Sequence, residues 1–409
     1  MNNLKKFGVM ILAAPSKPLG AIPQSTGYDV RCSQVFLALS NSVKVKKVFT
    51  LEFVSNSASK FSLTKYFPCI FQYGNITFKL VSRNSRILNQ LGFIIESFEA
   101  VASKKFWAYI KASDFLFIEN TNHYFLLFFL LGVFSKLLNK IYVLDMIDVY
   151  SFGKNINPLL RGVMLLFEKT LIWFASWVVC LTYEESKYLR SEKISVIPPS
   201  ILLFESNDSM HGTSNLKVKL GCLEKTKHKL VTFVGDLKTW SNRQAVDYIV
   251  RKLGPTFLNL RKDIIFIVAG RGYELWERCD VPRNVLFVGH LNKNELYYLL
   301  TKSSVCIAPL TYNTGFKSKI ISYIVAKKPV VLTKEATLSL PLRNLPSLVV
   351  TSLENFPREI INVITHETIF QKKAEISYQY FKNVFNFDKF KKEYENLISF
   401  LATRYKRSH

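Results

Sequence analysis

Short apolar runs alternate with stretches of helical period along most of this chain, the pattern of an α/β protein with mostly parallel sheets. In the first half the runs predict strands at 7–14, 47–53, 114–118, 141–144, 177–181 and 194–197. Helices are predicted between them, one over 29–40 and a long one over 157–175. From Leu202 to His228 the pattern dissolves into Ser, Asn, Asp, Gly and Lys with no apolar period, which marks a boundary. It then restarts, with strands predicted at 229–235, 263–270, 284–289, 304–309 and 329–333. Helices near 243–258, 293–302 and 316–326 join them. The expected organisation is a first domain over 1–200, a linker over 201–228, a second domain over 229–375, and a C-terminal helix over 376–409 that packs back on the first domain.

Composition narrows the class. With 409 residues the chain is long enough for two domains with separate cores, and 49% hydrophobic residues, including 33 Phe and 19 Tyr, exclude disorder. The net charge of +25 is carried by both halves, 23 Lys/Arg against 12 Asp/Glu in 1–200 and 32 against 18 in 201–409. A surface so basic favours anionic partners: phosphorylated ligands, acidic lipid headgroups or nucleic acid. No nucleic-acid motif accompanies the charge, and the basic residues are spread rather than striped, which leaves nucleic-acid binding as the weakest of these readings.

The six cysteines, at 32, 69, 180, 222, 279 and 306, form no CxxC pair and have no histidine at ligand spacing. They read as reduced thiols in a cytosolic protein, and no metal site is expected. Two segments imitate membrane signals. The run Gly8–Ala14 behind Lys5-Lys6 has the look of a short signal peptide but reads better as a first strand. The run Tyr124–Phe134 is too short to span a bilayer, and fits either a core helix or one that dips into the membrane interface.

Candidate chemistry concentrates in Pro309–Val331. A buried strand ends near Pro309, a glycine turn follows at Gly315, and a helix opens with Lys317 and Lys319. Free backbone N–H groups and the helix dipole make such an end an anion site, and lysines there work against the dipole unless an anion compensates them. An ordinary β–turn–α unit with solvated lysines fits the same residues. Gly270-Arg271-Gly272 is in the same way a tight turn or a ligand contact.

Taken in order and spacing, Val231–Leu237, Asn242, Phe266–Gly272, Asn284–Gly289, Glu295-Leu296 and Pro309–Val331 resemble the donor-binding domain of glycosyltransferase family 4, the glycosyl transferases group 1. Lys140–Asp148, Glu168–Thr182 with Glu185, Val196–Pro199 and the loop at Gly27–Arg31 are similar to the family's first domain at lower resolution. The resemblance implies the GT-B fold, two Rossmann-like domains facing a central cleft. It implies a retaining transferase that moves a sugar from a nucleotide-sugar to a lipid-linked or glycan acceptor, with neither metal nor other cofactor.

On the donor side the resemblance implicates Gly235, Lys238, Arg243, Gly270, Arg271, Asn313, Thr314, Gly315, Phe316, Lys317, Lys319 and Ser322. Lys319 meets the charge of the leaving diphosphate. On the acceptor side it implicates Gly27, Arg31, Asp145 and Asp148, with Asp148 a catalytic candidate; His123 and Glu119 lie just past the strand at 114–118, at the same rim, where His123 reads first as a polar loop residue and ranks below Asp148 as an acceptor-side candidate. Asp145 and Asp148 also fit a strand-end pair that caps the next turn. The family's two signature glutamates fall at Thr314 and Ser322, and its loop and strand-link glycines at Asn313 and Lys327. A serine cannot supply the bidentate grip of a carboxylate on ribose hydroxyls. The departures leave open a non-catalytic, binding or scaffold copy of the fold. An active enzyme is expected in the cytoplasm, peripheral on an anionic membrane surface.

Overall fold

The structure, a computed structural model, describes residues 7–13, 27–54, 72–79, 101–119, 125–147, 149, 151, 157–200, 227–276, 279–311, 317–338, 340 and 344–406. The described residues form two units, each built on a parallel sheet. The first holds β1 (Phe7–Ala13), β2 (Val45–Val54), β3 (Gln72–Lys79), β4 (Phe115–Glu119), β5 (Ile141–Met146), β6 (Trp177–Cys180) and β7 (Ile194–Val196). Its helices are α1 (Gly27–Ser40), α2 (Lys104–Ala112), α3 (Phe125–Leu137), α4 (Pro158–Phe174) and α5 (Tyr183–Leu189). The strand order is β3-β2-β1-β4-β5-β6-β7.

The second unit holds β8 (Lys229–Val234), α6 (Trp240–Tyr248), α7 (Gly254–Leu260), β9 (Ile264–Ala269), β10 (Val285–Gly289), α8 (Lys293–Lys302), β11 (Val305–Ala308), α9 (Ser318–Val325), β12 (Val330–Leu332), α10 (Lys334–Thr337), β13 (Leu348–Val350), α11 (Phe356–Thr365) and α12 (Glu367–Val384). Its order, β10-β9-β8-β11-β12-β13, is the doubly wound arrangement of dinucleotide-binding folds. The chain then returns as α13 (Phe387–Lys406), which belongs to the first unit.

Alternation along the strands explains why helices cover both faces of the first sheet. Val9, Ile11, Phe115, Phe117, Val143 and Val179 point to one face, where α1 and α13 close over them with Phe36, Tyr394, Leu397, Ile398 and Leu401. Met10, Leu12, Leu116, Ile118, Leu144, Val178 and Cys180 point to the other, against Phe106, Ile110, Leu127, Phe128, Leu131, Leu171 and Ile172 of α2, α3 and α4. Phe128 and Leu131 are 2% and 0% exposed, so the apolar run expected either in the core or at an interface is core. A Cβ at Gly132 would sit 2.7 Å from that of Phe174, which is how α3 and α4 come so close.

The structure departs from the sequence-based expectation at three places. β3 and β13 were not foreseen: one reads as a polar edge strand with Asn and Thr, and the other has three residues. The single helix expected near 243–258 is interrupted by a π-helical segment, Ile249–Leu253. Pro255 at the start of α7 has no N–H to offer Arg251, and the Gly254 N–H reaches back to the Ile249 carbonyl instead.

Candidate nucleotide-binding site

Ligands of open parallel sheets bind beyond the carboxyl ends of the strands where the winding reverses, which in the second unit is between β8 and β11. β8 ends in Val234 and a tight turn, Gly235 to Thr239, leads into α6. The turn is fixed by Lys238 N–H donating to Asp236 Oδ1 (3.0 Å) and by Thr239 Oγ1 donating to the Asp236 carbonyl (2.8 Å). Asn242 is buried on the first turns of α6, and its Nδ2 donates to the same carbonyl at 2.8 Å. That bond leaves the Asn242 Oδ1 to accept from Lys319 Nζ of α9.

Lys319 is therefore held at the end of β8, with its ammonium 4.5 Å from the centre of the Phe233 ring. One turn on, Tyr323 Oη accepts from Val234 N–H at 2.9 Å and pins the same helix face to the strand. Gly235 is required here, because a Cβ would lie 2.7 Å from Asn242 Nδ2 and 3.0 Å from Lys319 Nζ. Gly270, next to it at the end of β9, has φ +152°, and its Cβ would fall 1.7 Å from the Gly235 carbonyl oxygen. Two strand ends thus meet backbone to backbone beside an ammonium group.

Burial, and then the like charge of Lys317, depress the Lys319 ammonium to about 7. Among the described residues no carboxylate forms an ion pair with Lys319. Lys317 is itself buried, at the residue that precedes α9. Two cations at one helix N-terminus oppose the dipole, and an anion lying there would relieve both.

Of the residues expected on the donor side, Gly235 and Lys319 are brought together, with Gly270 adjoining. Arg271 lies 3.6 Å from Asp236 in an exposed pair, and Lys238 is exposed. Arg243 is exposed too, and donates to the Lys238 carbonyl at 2.9 Å. Ser322 is half-buried and its hydroxyl donates to the Ser318 carbonyl at 3.2 Å. Asn313, Thr314, Gly315 and Phe316 lie outside the described residues. Asn242 and Tyr323 are the positioning residues that sequence reasoning gave no role. Asn242 was visible as part of the motif, whereas Tyr323 was hidden in an apolar stripe.

In the first unit, Gly27 opens α1. Arg31 on that helix meets Asp145 at 3.0 Å, both 1% exposed, and donates to Tyr394 Oη of α13 at 2.7 Å. Tyr394 donates in turn to Asp145 at 2.6 Å. Arg31 and Asp145 are thus engaged with each other and with the C-terminal helix. Glu119, level with Asp145 on the neighbouring strand, is fully buried beside the Cys32 thiol and the Arg31–Asp145 pair. Burial first, and then the Asp145 charge, hold its carboxyl well above the usual range despite the opposing Arg31. His123 and Asp148 lie outside the described residues.

The architecture is that of the GT-B glycosyltransferases, with two Rossmann-like units. Residues 228–366, within the second unit, match the family model described as Glycosyl transferases group 1. No curated protein sequence matches the chain. Among solved structures it is similar to the sucrose-phosphate synthase of Thermosynechococcus elongatus, at 13% identity and TM-score 0.70, over 98% of this chain and 100% of that one. It is similar to the Anabaena protein HepE bound to UDP-glucose, at 14% identity and TM-score 0.63, over 96% and 99%. A trehalose 6-phosphate synthase from Burkholderia multivorans aligns over 99% of each chain, at 11% identity and TM-score 0.65.

Proposed function

We propose that the protein is a glycosyltransferase that takes a sugar from a nucleotide-sugar and passes it to a lipid-linked or glycan acceptor. The observation that carries this reading is Lys319, a half-buried ammonium without a carboxylate partner among the described residues, at the winding reversal of a sheet in the group 1 family domain. The HepE structures hold UDP and UDP-glucose, which makes uridine nucleotides the first donors to test.

In the proposed reaction the bond from the sugar's anomeric carbon to the diphosphate oxygen breaks, and its electron pair leaves with the nucleoside diphosphate. The acceptor hydroxyl forms the new bond and gives up its proton to the departing diphosphate oxygen. Lys319, backed by Lys317, stabilises the charge that grows on the leaving group, so no resident metal is needed. Asp148 and His123, beyond the ends of β5 and β4 in sequence, are the acceptor-side candidates. Retention of anomeric configuration is part of the proposal, on the strength of the family resemblance.

A second reading, a binding protein that no longer transfers, is favoured by Ser322. Its hydroxyl is turned back to the helix, at a position where the family pattern has a carboxylate. Calorimetric titration with UDP-sugars, together with a donor-hydrolysis assay, separates the two. Binding with release of UDP supports the transferase. Binding without turnover under any acceptor supports the second reading, and no binding by any nucleotide-sugar overturns both.

A further inference from the structure

α4 is apolar on both sides, and only one side is covered. Its 168, 171 and 172 positions face the core, as the 3.6-residue period requires once the helix lies on the sheet. On the opposite side Leu159, Val163, Leu166 and Trp173 form one continuous stripe, flanked by Leu160 and Phe167. Leu159, Leu166 and Trp173 are 80%, 64% and 66% exposed. So many large apolar side chains on one face exceed what a solvated helix ordinarily shows, and mark an interaction surface.

The charge around the stripe says what covers it. The helix holds one acid, Glu168, which is buried and takes both the N–H and the hydroxyl of Ser151. The cations lie at the margin. Lys136 of α3 sits 3.6 Å over the Trp173 ring. Lys140, just beyond α3, bonds the carbonyl of exposed Lys111 at 3.0 Å, and Leu137 between them is itself exposed. A protruding apolar stripe with an exposed tryptophan, no exposed acid on the helix itself and lysines along its edge matches an anionic bilayer in both polarity and charge. The stripe would rest among the acyl chains, the aromatic rings at the level of the headgroups, and the ammonium groups on lipid phosphates.

We propose that α4 is a membrane-docking helix, lying flat on an anionic lipid surface with Leu159, Val163, Leu166 and Trp173 inserted. No helix among the described residues is long and apolar enough to cross a bilayer, so attachment by this surface would be peripheral. The buried residues of α3 take no part in it. The inference does not depend on the transfer reaction, since docking is read without a donor or an acceptor.

The test is sedimentation of the full chain with vesicles of phosphatidylcholine alone or mixed with phosphatidylglycerol, at low and at molar salt. The control is a variant carrying Leu159→Ser, Leu166→Ser and Trp173→Ser. These three side chains are exposed, so the variant keeps its fold, and circular dichroism and thermal unfolding verify that. The wild type is expected to bind the phosphatidylglycerol vesicles, and to keep part of that binding in molar salt, because the apolar component is not screened. The variant is expected to partition at least about ten-fold more weakly and to lose the salt-resistant fraction. Equal binding by the folded variant overturns the proposal. So does failure of the wild type to bind anionic vesicles, or complete release by salt. A wild-type dimer in solution that the triple variant dissociates, with no vesicle binding, assigns the stripe to a second copy and also overturns it.

Discussion

Lys319 is the group on which the proposed function turns. Its native value near 7 lies far below the ordinary value of about 10.4 for an unfolded lysine. The unfolded chain therefore binds the proton that the native state has released. Stability associated with Lys319 is at its best above the unfolded value, and is lost as pH falls from about 10 to 7. Lys319→Met removes this penalty while keeping much of the volume, so it is expected to raise the melting temperature of the ligand-free protein at pH 7 and to reduce that gain at pH 9. The same substitution should weaken nucleoside-diphosphate binding by about 1–3 kcal/mol, the scale of a charge-assisted hydrogen bond. In the wild type, binding should weaken from pH 7.5 to pH 9, because the phosphates must then recruit a proton to Lys319. Calorimetry in buffers of different ionisation enthalpy would register that proton uptake. Glu119 has the opposite sign. Its raised native value makes its contribution complete below the ordinary carboxyl range and lost as pH rises, so Glu119→Gln should stabilise the protein above pH 7 and flatten its pH dependence.

At the level of elements, the connection of α13 to the first unit is a buried polar triangle, Arg31, Asp145 and Tyr394, set among Phe117, Phe390 and Leu397. Removing one charge from such a pair strands the other. Asp145→Ala is expected to cost about 3–5 kcal/mol in urea unfolding, whereas Tyr394→Phe, which keeps the ring and the ion pair, should cost about 1–2 kcal/mol. Gly270→Ala should also destabilise the second unit by more than about 1 kcal/mol, since its φ and the Gly235 carbonyl both exclude a side chain. The central strands and α9 were legible in the sequence because each is an unbroken apolar run or stripe ended by glycine, proline or lysine. The polar edge strand β3 was not, because an edge strand has no need of apolar residues on both faces. The Arg31–Asp145 partnership was out of reach for another reason. Residues 114 positions apart, completed by Tyr394 from the far end of the chain, leave no local pattern. The exposed face of α4 was hidden by the covered one, since a helix apolar all round reads simply as buried.

For the molecule as a whole, the two units divide the work along lines that their chemistry suggests. The second unit carries the cationic strand-end site, within the stretch that matches the group 1 family. The first carries the sealed Arg31–Asp145–Tyr394 triangle and, on its outer surface, the apolar helix that would rest on lipid. Under the proposed function a soluble activated sugar would meet an acceptor held at a membrane, which calls for both properties, and the net charge of +25 would suit the phosphates of either. The β8–α9 site is proposed to bind a nucleotide-sugar through Lys319. The most direct measurement is isothermal titration of the wild-type chain and of Lys319→Met with a panel of nucleotide-sugars and their diphosphates, UDP-glucose and UDP first. Saturable binding of at least one donor, falling about ten-fold or more in the variant, is the predicted result. Binding of the same strength in both proteins, or no binding by any member of the panel, would contradict it.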